Sequence, residues 1–381
     1  MQSAALLWHV SVLVPPGKRA LALGAVGLVK VLPIIGFSFV SGVLADATDR
    51  RRLMLVTQCG MGLAAAALAV LAFGNHRSLW PIYALAAIGS AFGSFDGPAR
   101  QALIPSLVPR ELLPNAIALN TIMFQVASVV GPALGGVVIA SLGLGWTYAL
   151  NAASFLCVIV ALLAMRDVPQ VPRAERATFG PGAVMDGLRF VFGAPLIRST
   201  MLLDFYATLF ASATALLPIY AQDILKVGAH GYGLLSAAPA AGAMVASLAL
   251  IRIGDRIPHR GRVLLGSVMA FGLATIGFGL SRSFVLTLLC LALTGVFDTV
   301  SMVIRNVVRQ LNTPDGLRGR MTSVNMIFFM GGPQLGELEA GLVAARWGAP
   351  FAVVSGGIAC LLSTLWIGWR TPALRRYRGE S

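Results

Sequence analysis

The chain alternates long apolar runs with short polar joints. The runs occupy 4–14, 20–45, 53–73, 79–98, 114–142, 146–165, 196–221, 231–252, 263–281, 283–306, 321–345 and 350–369. All but the first reach the roughly 20 residues that carry an α-helix across the hydrocarbon core of a bilayer. Lipid offers no water to backbone N–H and C=O groups, so each run predicts a helix that satisfies them internally. The run at 4–14 gives only roughly 16 Å of helix at ~1.5 Å per residue. It ends at Pro15-Pro16-Gly17. It is expected to be a partial first span, either a stub or the remainder of a span that begins upstream. No charged segment precedes it, which argues against a signal peptide.

Composition agrees. The chain is 57% hydrophobic and 12% charged, with a mean hydropathy of +0.81, whereas soluble domains carry about 25% charged residues. A net charge of +14 would suggest a nucleic-acid partner in a soluble protein. Here the basic residues sit singly or in short clusters between apolar runs, so no nucleic acid is expected. They also sort by side. Of the 29 Lys and Arg residues, 22 fall on the side that holds residues 50–52 and six on the other. By the positive-inside bias the arginine-rich side is cytoplasmic. Twelve spans would then leave both termini inside a plasma (bacterial inner) membrane. Cys59, Cys157, Cys290 and Cys360 lie singly within apolar runs and read as small buried hydrophobes. The four His are scattered, and no phosphate-binding glycine loop or nucleophile elbow is present, so neither metal, cofactor, ATP drive nor catalysis is expected.

The longest polar stretch, 166–195, contains Pro169, Pro172 and Pro181. It is expected to be a cytoplasmic linker between an N-terminal six-helix bundle, 1–165, and a C-terminal one, 196–381. The halves resemble each other. Gly27, Pro33 and Gly36 match Gly233, Pro239 and Gly242; Asp46 and Arg51 match Asp255 and Arg260. Arg100, Pro109, Asn120, Gly131, Gly136 and Gly143 match Arg305, Pro314, Asn325, Gly336, Gly341 and Gly348. A parallel repeat of this kind predicts a pseudo-two-fold axis along the membrane normal, a binding site between the halves and access that alternates by rocking.

The segment Gly42-Val-Leu-Ala-Asp46-Ala-Thr-Asp49-Arg50-Arg51 resembles the signature of the major facilitator superfamily between its second and third spans. Ala47 and Asp49 depart from the usual Arg and Gly. The form Asp-x-x-Asp-Arg-Arg followed by Gln58 is similar to the siderophore and drug exporter branch that includes the enterobactin exporter. Gly131-Pro132-Ala133-Leu134-Gly135-Gly136 is similar to the Gly-Pro motif of that superfamily's drug:proton antiporters, and the runs 98–105, 115–120, 313–315 and 318–320 resemble the exporter branch. The resemblance implies an all-α major facilitator fold in which Asp46, Arg50 and Asp96 form a cytoplasmic latch. Asp96 and Arg100, at i and i+4, are within reach of each other on one helix face. The competing reading is that residues 50–52 only enforce topology. Pro132 kinks its helix, while Gly131, Gly135 and Gly136 admit a facing helix, which the resemblance implies is the eighth.

Ionisable residues within spans are costly, so they mark candidate functional positions. Lys30, Glu337 and Glu339 lie at similar depth in the second and eleventh runs. They are expected either to pair as an outer gate or to supply a proton-carrying Glu, unless Glu339 simply meets water. Asp204 and Asp298 lie in the seventh and tenth runs, which the resemblance implies line a central cavity. They are candidate proton or substrate carriers, with pairing to Arg198 or Arg305 as the alternative. His9, beside Trp8, is a further candidate. Together with the resemblance, which alone implies export, these residues point to a proton-coupled exporter of small amphipathic compounds that works as a monomer in the bilayer. The alternatives are an importer of a small nutrient and a non-transporting sensor or scaffold.

Overall fold

A computed structural model describes residues 1–165, 189–211, 213–253, 259–314 and 318–378. Most of the expected linker, 166–188, lies outside them. The described residues form a helical bundle. In chain order the helices are α1 (Gln2–Leu13), α2 (Pro16–Ala47), α3 (Arg50–Phe73), α4 (Leu79–Leu107), α5 (Leu113–Ser141) and α6 (Leu144–Ala164). The second set is α7 (Pro195–Ala211), α8 (Gly228–Ile253), α9 (Arg260–Leu280), α10 (Phe284–Leu311), α11 (Arg318–Trp347) and α12 (Ala349–Arg370), followed by the short α13 (Pro372–Arg375). From Ala213 to Ile224 the chain forms 3₁₀, α and π turns that complete the seventh span. Nine of these helices are long and apolar enough to cross a membrane. Helices α4 and α11 have the length, at 29 and 30 residues. The first is the short one, at 12 residues.

Many large apolar side chains point away from the bundle, among them Leu156, Val160 and Leu163 on α6 and Leu362 and Leu365 on α12. Such a surface is stable only against lipid. Within the first half α2 packs on α4, and α3 on both α4 and α6; in the second, α8 packs on α10, and α9 on both α10 and α12. The same pattern repeats under the pseudo-two-fold. Gly143 and Gly348, matched in the sequence repeat, take φ of 88° and 89° at the starts of α6 and α12. A side chain is strained in that left-handed region, so glycine turns the chain there in both halves.

Two seams join the halves: α2 against α11, and α5 against α8. Each is centred on a glycine pair. A Cβ on Gly341 would stand 2.5 Å from Cα of Gly24, and one on Gly136 would stand 2.5 Å from Cα of Gly233. Backbones approach closely where small residues meet, which is how helices associate tightly in lipid. The contacts make Gly24 the counterpart of Gly233 in the repeat. The sequence match with Gly27 is therefore displaced by three residues, close to one helical turn. Each of the four seam helices has an interior proline: Pro33, Pro132, Pro239 and Pro333. Each removes one backbone donor and loosens its helix at that point.

Among the described residues, the seams close only one side. Besides the glycine pairs, the arginine-poor side has hydrogen bonds from Gln222 Nε2 to Ser11 Oγ (2.7 Å) and from Tyr232 Oη to the Ala4 carbonyl (2.9 Å). Trp8 stacks on Tyr232 there, with ring centroids 5.0 Å apart. Toward the arginine-rich side, α5 stands free: Leu119 through Phe124 are all exposed, more than a full turn, so both its lipid face and its cleft face are uncovered. Ile35 and Phe37 of α2 and Phe329 and Met330 of α11 are exposed at the same end. The cleft between the halves opens to the arginine-rich side.

Candidate functional site

The deepest polar group in the second half is built on α7 and α10. Arg305 is 2% exposed and donates to Asp204 at 2.9 Å. It also lies 3.5 Å from Asp298, whose side chain is 50% exposed. Asp298 stands near the middle of α10, two turns before Arg305 on the same face, and its side chain is half open. Of the two partners expected for Asp204, the structure brings Arg305; Arg198 instead donates to the Phe192 carbonyl. Arg305 and Arg309, which the charge pattern assigns to the arginine-rich side, are both buried within α10. Arg309 hydrogen-bonds Asn306 and Asn325. Ser301 Oγ and Arg305 Nε are buried without a partner.

The repeat explains the asymmetry between the halves. Arg100, the counterpart of Arg305, pairs with Asp96 one turn earlier at 2.7 Å. In the second half that earlier position is Ser301, which has no charge to offer, so Arg305 reaches across to Asp204 on α7. Asp96 is buried and further held by Thr57 Oγ1 (3.0 Å) and Gln58 Nε2 (2.8 Å) of α3. A carboxylate accepting three hydrogen bonds ties α3 and α4 together at their arginine-rich ends. Thr57 was not anticipated, and Gln58 was noted only as part of the resemblance.

Around the signature, Asp49 caps the N-terminus of α3, accepting from the backbone N–H groups of Arg51 and Arg52. The substitution of Asp for the usual Gly thus supplies a helix cap. Arg51 donates to the Leu162 and Leu163 carbonyls at the end of α6 (2.6 and 2.9 Å). It satisfies carbonyls that a helix end leaves open, beyond any effect on topology. Arg50 opens α3. Gly42 and Asp46 fall in the last turns of α2, with side chains outside the described residues.

In α5, Gly131 and Gly135 face Met1 of the first half, while Gly136 and the Pro132 carbonyl face Gly233 of α8. At the other seam, Glu337 lies against Gly27. It is 8% exposed, and its Oε2 has no hydrogen-bond partner. Lys30, one turn along α2, is close enough to act on Glu337 electrostatically but forms no ion pair with it. Glu339 is half-buried with an unpaired Oε2. His9 is buried, its Nδ1 3.3 Å from Tyr148 Oη. Among the described residues no group of three His, Cys, Asp or Glu could hold a metal ion.

A cross-half ion pair also stands on the arginine-poor side. Arg19 NH1 reaches both oxygens of Asp223, at 2.9 and 2.7 Å. The only trace of it in the sequence was an acid and a base at the ends of the second and seventh runs.

The family model described as transmembrane secretion effector, a major facilitator group, matches residues 1–376. The enterobactin exporter of Salmonella paratyphi A is 31% identical over 346 residues, covering 90% of this chain and 82% of that protein. A POT family transporter crystallised with 5-aminolevulinic acid superposes with a TM-score of 0.74 at 12% identity, covering 98% of this chain and 93% of its own. The human organic anion transporter MFSD10 superposes at 0.64 and 19% identity, covering 96% and 89%. These two likenesses concern the fold.

Proposed function

The chain belongs to the transmembrane secretion effector family of the major facilitator superfamily, and we propose that it is a proton-coupled exporter of small amphipathic compounds, a drug or a siderophore. Membership makes it a multi-pass membrane transporter of small molecules and not an enzyme. Export is supported by the name of the Salmonella relative. The protein acts as a monomer of two bundles, 1–165 and 196–381, in the bacterial inner membrane, with the arginine-rich side and the C-terminus in the cytoplasm. The described conformation is then cytoplasm-facing.

The observation that carries the coupling is the shared guanidinium. Arg305 is committed to buried Asp204 and holds Asp298 only loosely, and we read the half-exposed Asp298, near the middle of α10, as facing the cleft. A carboxylate so placed can take up a proton from the cleft and let go of Arg305, or release the proton and pair again. Rocking about the two glycine seams would move the same carboxylate from one side's access to the other's. Asp96, Arg100 and Arg50, together with Asp46, latch the cytoplasmic side in the opposite conformation.

The test is efflux of a fluorescent amphipathic drug from cells carrying the chain, with and without an uncoupler, beside Asp298→Asn. Loss of efflux on both treatments supports the reading. Uncoupler-sensitive efflux that survives in Asp298→Asn removes Asp298 from the proton path.

A further inference from the structure

The arginine-rich end of the second half contains a cavity of about 410 Å³ lined by Leu311, Asn312, Arg376, Tyr377 and Arg378. It lies away from the cleft, where the chain leaves α12. The segment that forms it is fastened to the bundle. Leu374 of α13 is fully buried, in a cluster with Leu264 of α9. Gly261 N–H donates to the Tyr377 carbonyl at 3.1 Å, and Asn312 Nδ2 donates to Tyr377 Oη at 3.2 Å. A Cβ at Gly261 would run into the Leu374 carbonyl, so the close fit of tail on helix requires glycine there.

This fixed wall presents two guanidinium groups. Arg376 and Arg378 are exposed, and neither has a carboxylate within ion-pair distance among the described residues. None of the described lining residues is acidic. Arg370 and Arg375 precede them in the same segment, and Arg260 and Arg262 flank the Gly261 contact. Trp366 and Trp369, 50% and 74% exposed near the end of α12, set the depth, because Trp concentrates where hydrocarbon meets headgroups. The cavity therefore sits at headgroup level, and it combines cationic donors with an amide, a phenol and one apolar wall.

We propose that this cavity binds the phosphodiester headgroup of an anionic phospholipid, with Arg376 and Arg378 on the phosphate oxygens. Basic pockets at this depth attract anionic lipid, and each arginine contributes about fivefold in affinity. Tyr377, whose oxygen accepts from Asn312, keeps its own O–H to donate beside the charge, and Leu311 meets the start of the acyl chain. The proposal needs only insertion in a bilayer, so it stands apart from the transport reading.

Native mass spectrometry of the delipidated full chain in detergent tests it. The titrants are phosphatidylglycerol, phosphatidylcholine of the same acyl chains, and inorganic phosphate. The expected result is retention of phosphatidylglycerol several-fold above phosphatidylcholine. Retention should fall by roughly an order of magnitude in Arg376→Gln/Arg378→Gln and largely persist in Arg376→Lys/Arg378→Lys, with all three forms eluting alike on size exclusion. Equal retention of the two lipids overturns the proposal, as does unchanged phosphatidylglycerol retention in the Gln variant. Inorganic phosphate that binds as tightly without lipid and displaces phosphatidylglycerol makes this a free-anion site instead.

Discussion

Arg19 of α2 and Asp223 of the π turn that ends the seventh span form a two-pronged ion pair between the halves, at 2.9 and 2.7 Å. Arg19 is 8% exposed, so its charge is largely withdrawn from water. Removing one member of such a pair leaves the other charge buried alone, worth about 3–5 kcal/mol in a dry site and less here because the Asp223 side chain is 43% exposed. The pair exists only while the arginine-poor side is closed. Asp223→Asn should therefore shift the population toward opening on that side. Spin labels or reactive cysteines placed across the arginine-poor ends will report it as longer distances or faster labelling. The swap Arg19→Asp/Asp223→Arg should restore closure; if the single variant leaves distances unchanged, the pair does not hold the gate.

The two glycine seams are expected to tolerate nothing larger. At Gly136 and Gly341 even one methyl group would lie 2.5 Å from the facing Cα, and helix backbone cannot yield as a flexible side chain can. Gly136→Val and Gly341→Val should each lower transport at least tenfold, whereas Gly89→Ala and Gly97→Ala, with open space around them, should change it little. Comparing initial efflux rates at matched expression checks this.

The shared arginine separates a structural carboxylate from a working one. Asp204 is 3% exposed and bonded to an arginine that is 2% exposed. Asp204→Asn should therefore destabilise the protein by about 3 kcal/mol or more. Asp298 is half exposed at 3.5 Å, so Asp298→Asn should move stability by less than about 1 kcal/mol. The double variant Asp204→Leu/Arg305→Met should recover much of the loss, since apolar groups of similar size replace buried pairs at little penalty. Thermal unfolding in detergent ranks the four proteins; equal effects at Asp204 and Asp298 would contradict the geometry.

The periodic apolar runs made the helices legible, because lipid forces every span to be helical and every run to be long. The run at 283–306 extends to Leu311 in the structure, because Arg309 beyond its end reads as a loop charge. A buried arginine looks the same in sequence as a solvated one until its partner on another helix is known. The repeat was visible, but its register between Gly27 and Gly233 slipped, since Gly and Ala recur too often to fix phase. Arg305 was legible only as one of two alternative partners for Asp204 and Asp298, and Arg19 not at all. Arg305–Asp204 and Arg19–Asp223 each join residues far apart in the chain, and no local spacing announces such a contact. The i, i+4 pair of Asp96 and Arg100 was legible because helix geometry alone brings it together.

Glu337 and Lys30 give the sharpest remaining test. Glu337 is buried against Gly27 with an unpaired Oε2, and an ionised, unpartnered carboxylate would be expelled from such a place. Lys30 lies one turn further toward the open side of the seam, where α2 and α11 diverge, so the two do not touch in this conformation. Closing the arginine-rich side would bring that turn of α2 against α11 and allow them to meet. Glu337→Gln keeps the shape of the side chain and should leave thermal stability within about 1 kcal/mol of the parent. Uncoupler-sensitive efflux should nevertheless fall at least tenfold in Glu337→Gln and in Lys30→Met. If the pair forms on closure, Lys30→Glu/Glu337→Lys should regain part of the activity lost by the single changes. A Glu337→Gln protein that is strongly destabilised would mark a packing role instead. Full efflux in both single variants would remove Lys30 and Glu337 from the cycle and leave Asp298 as the carboxylate to pursue.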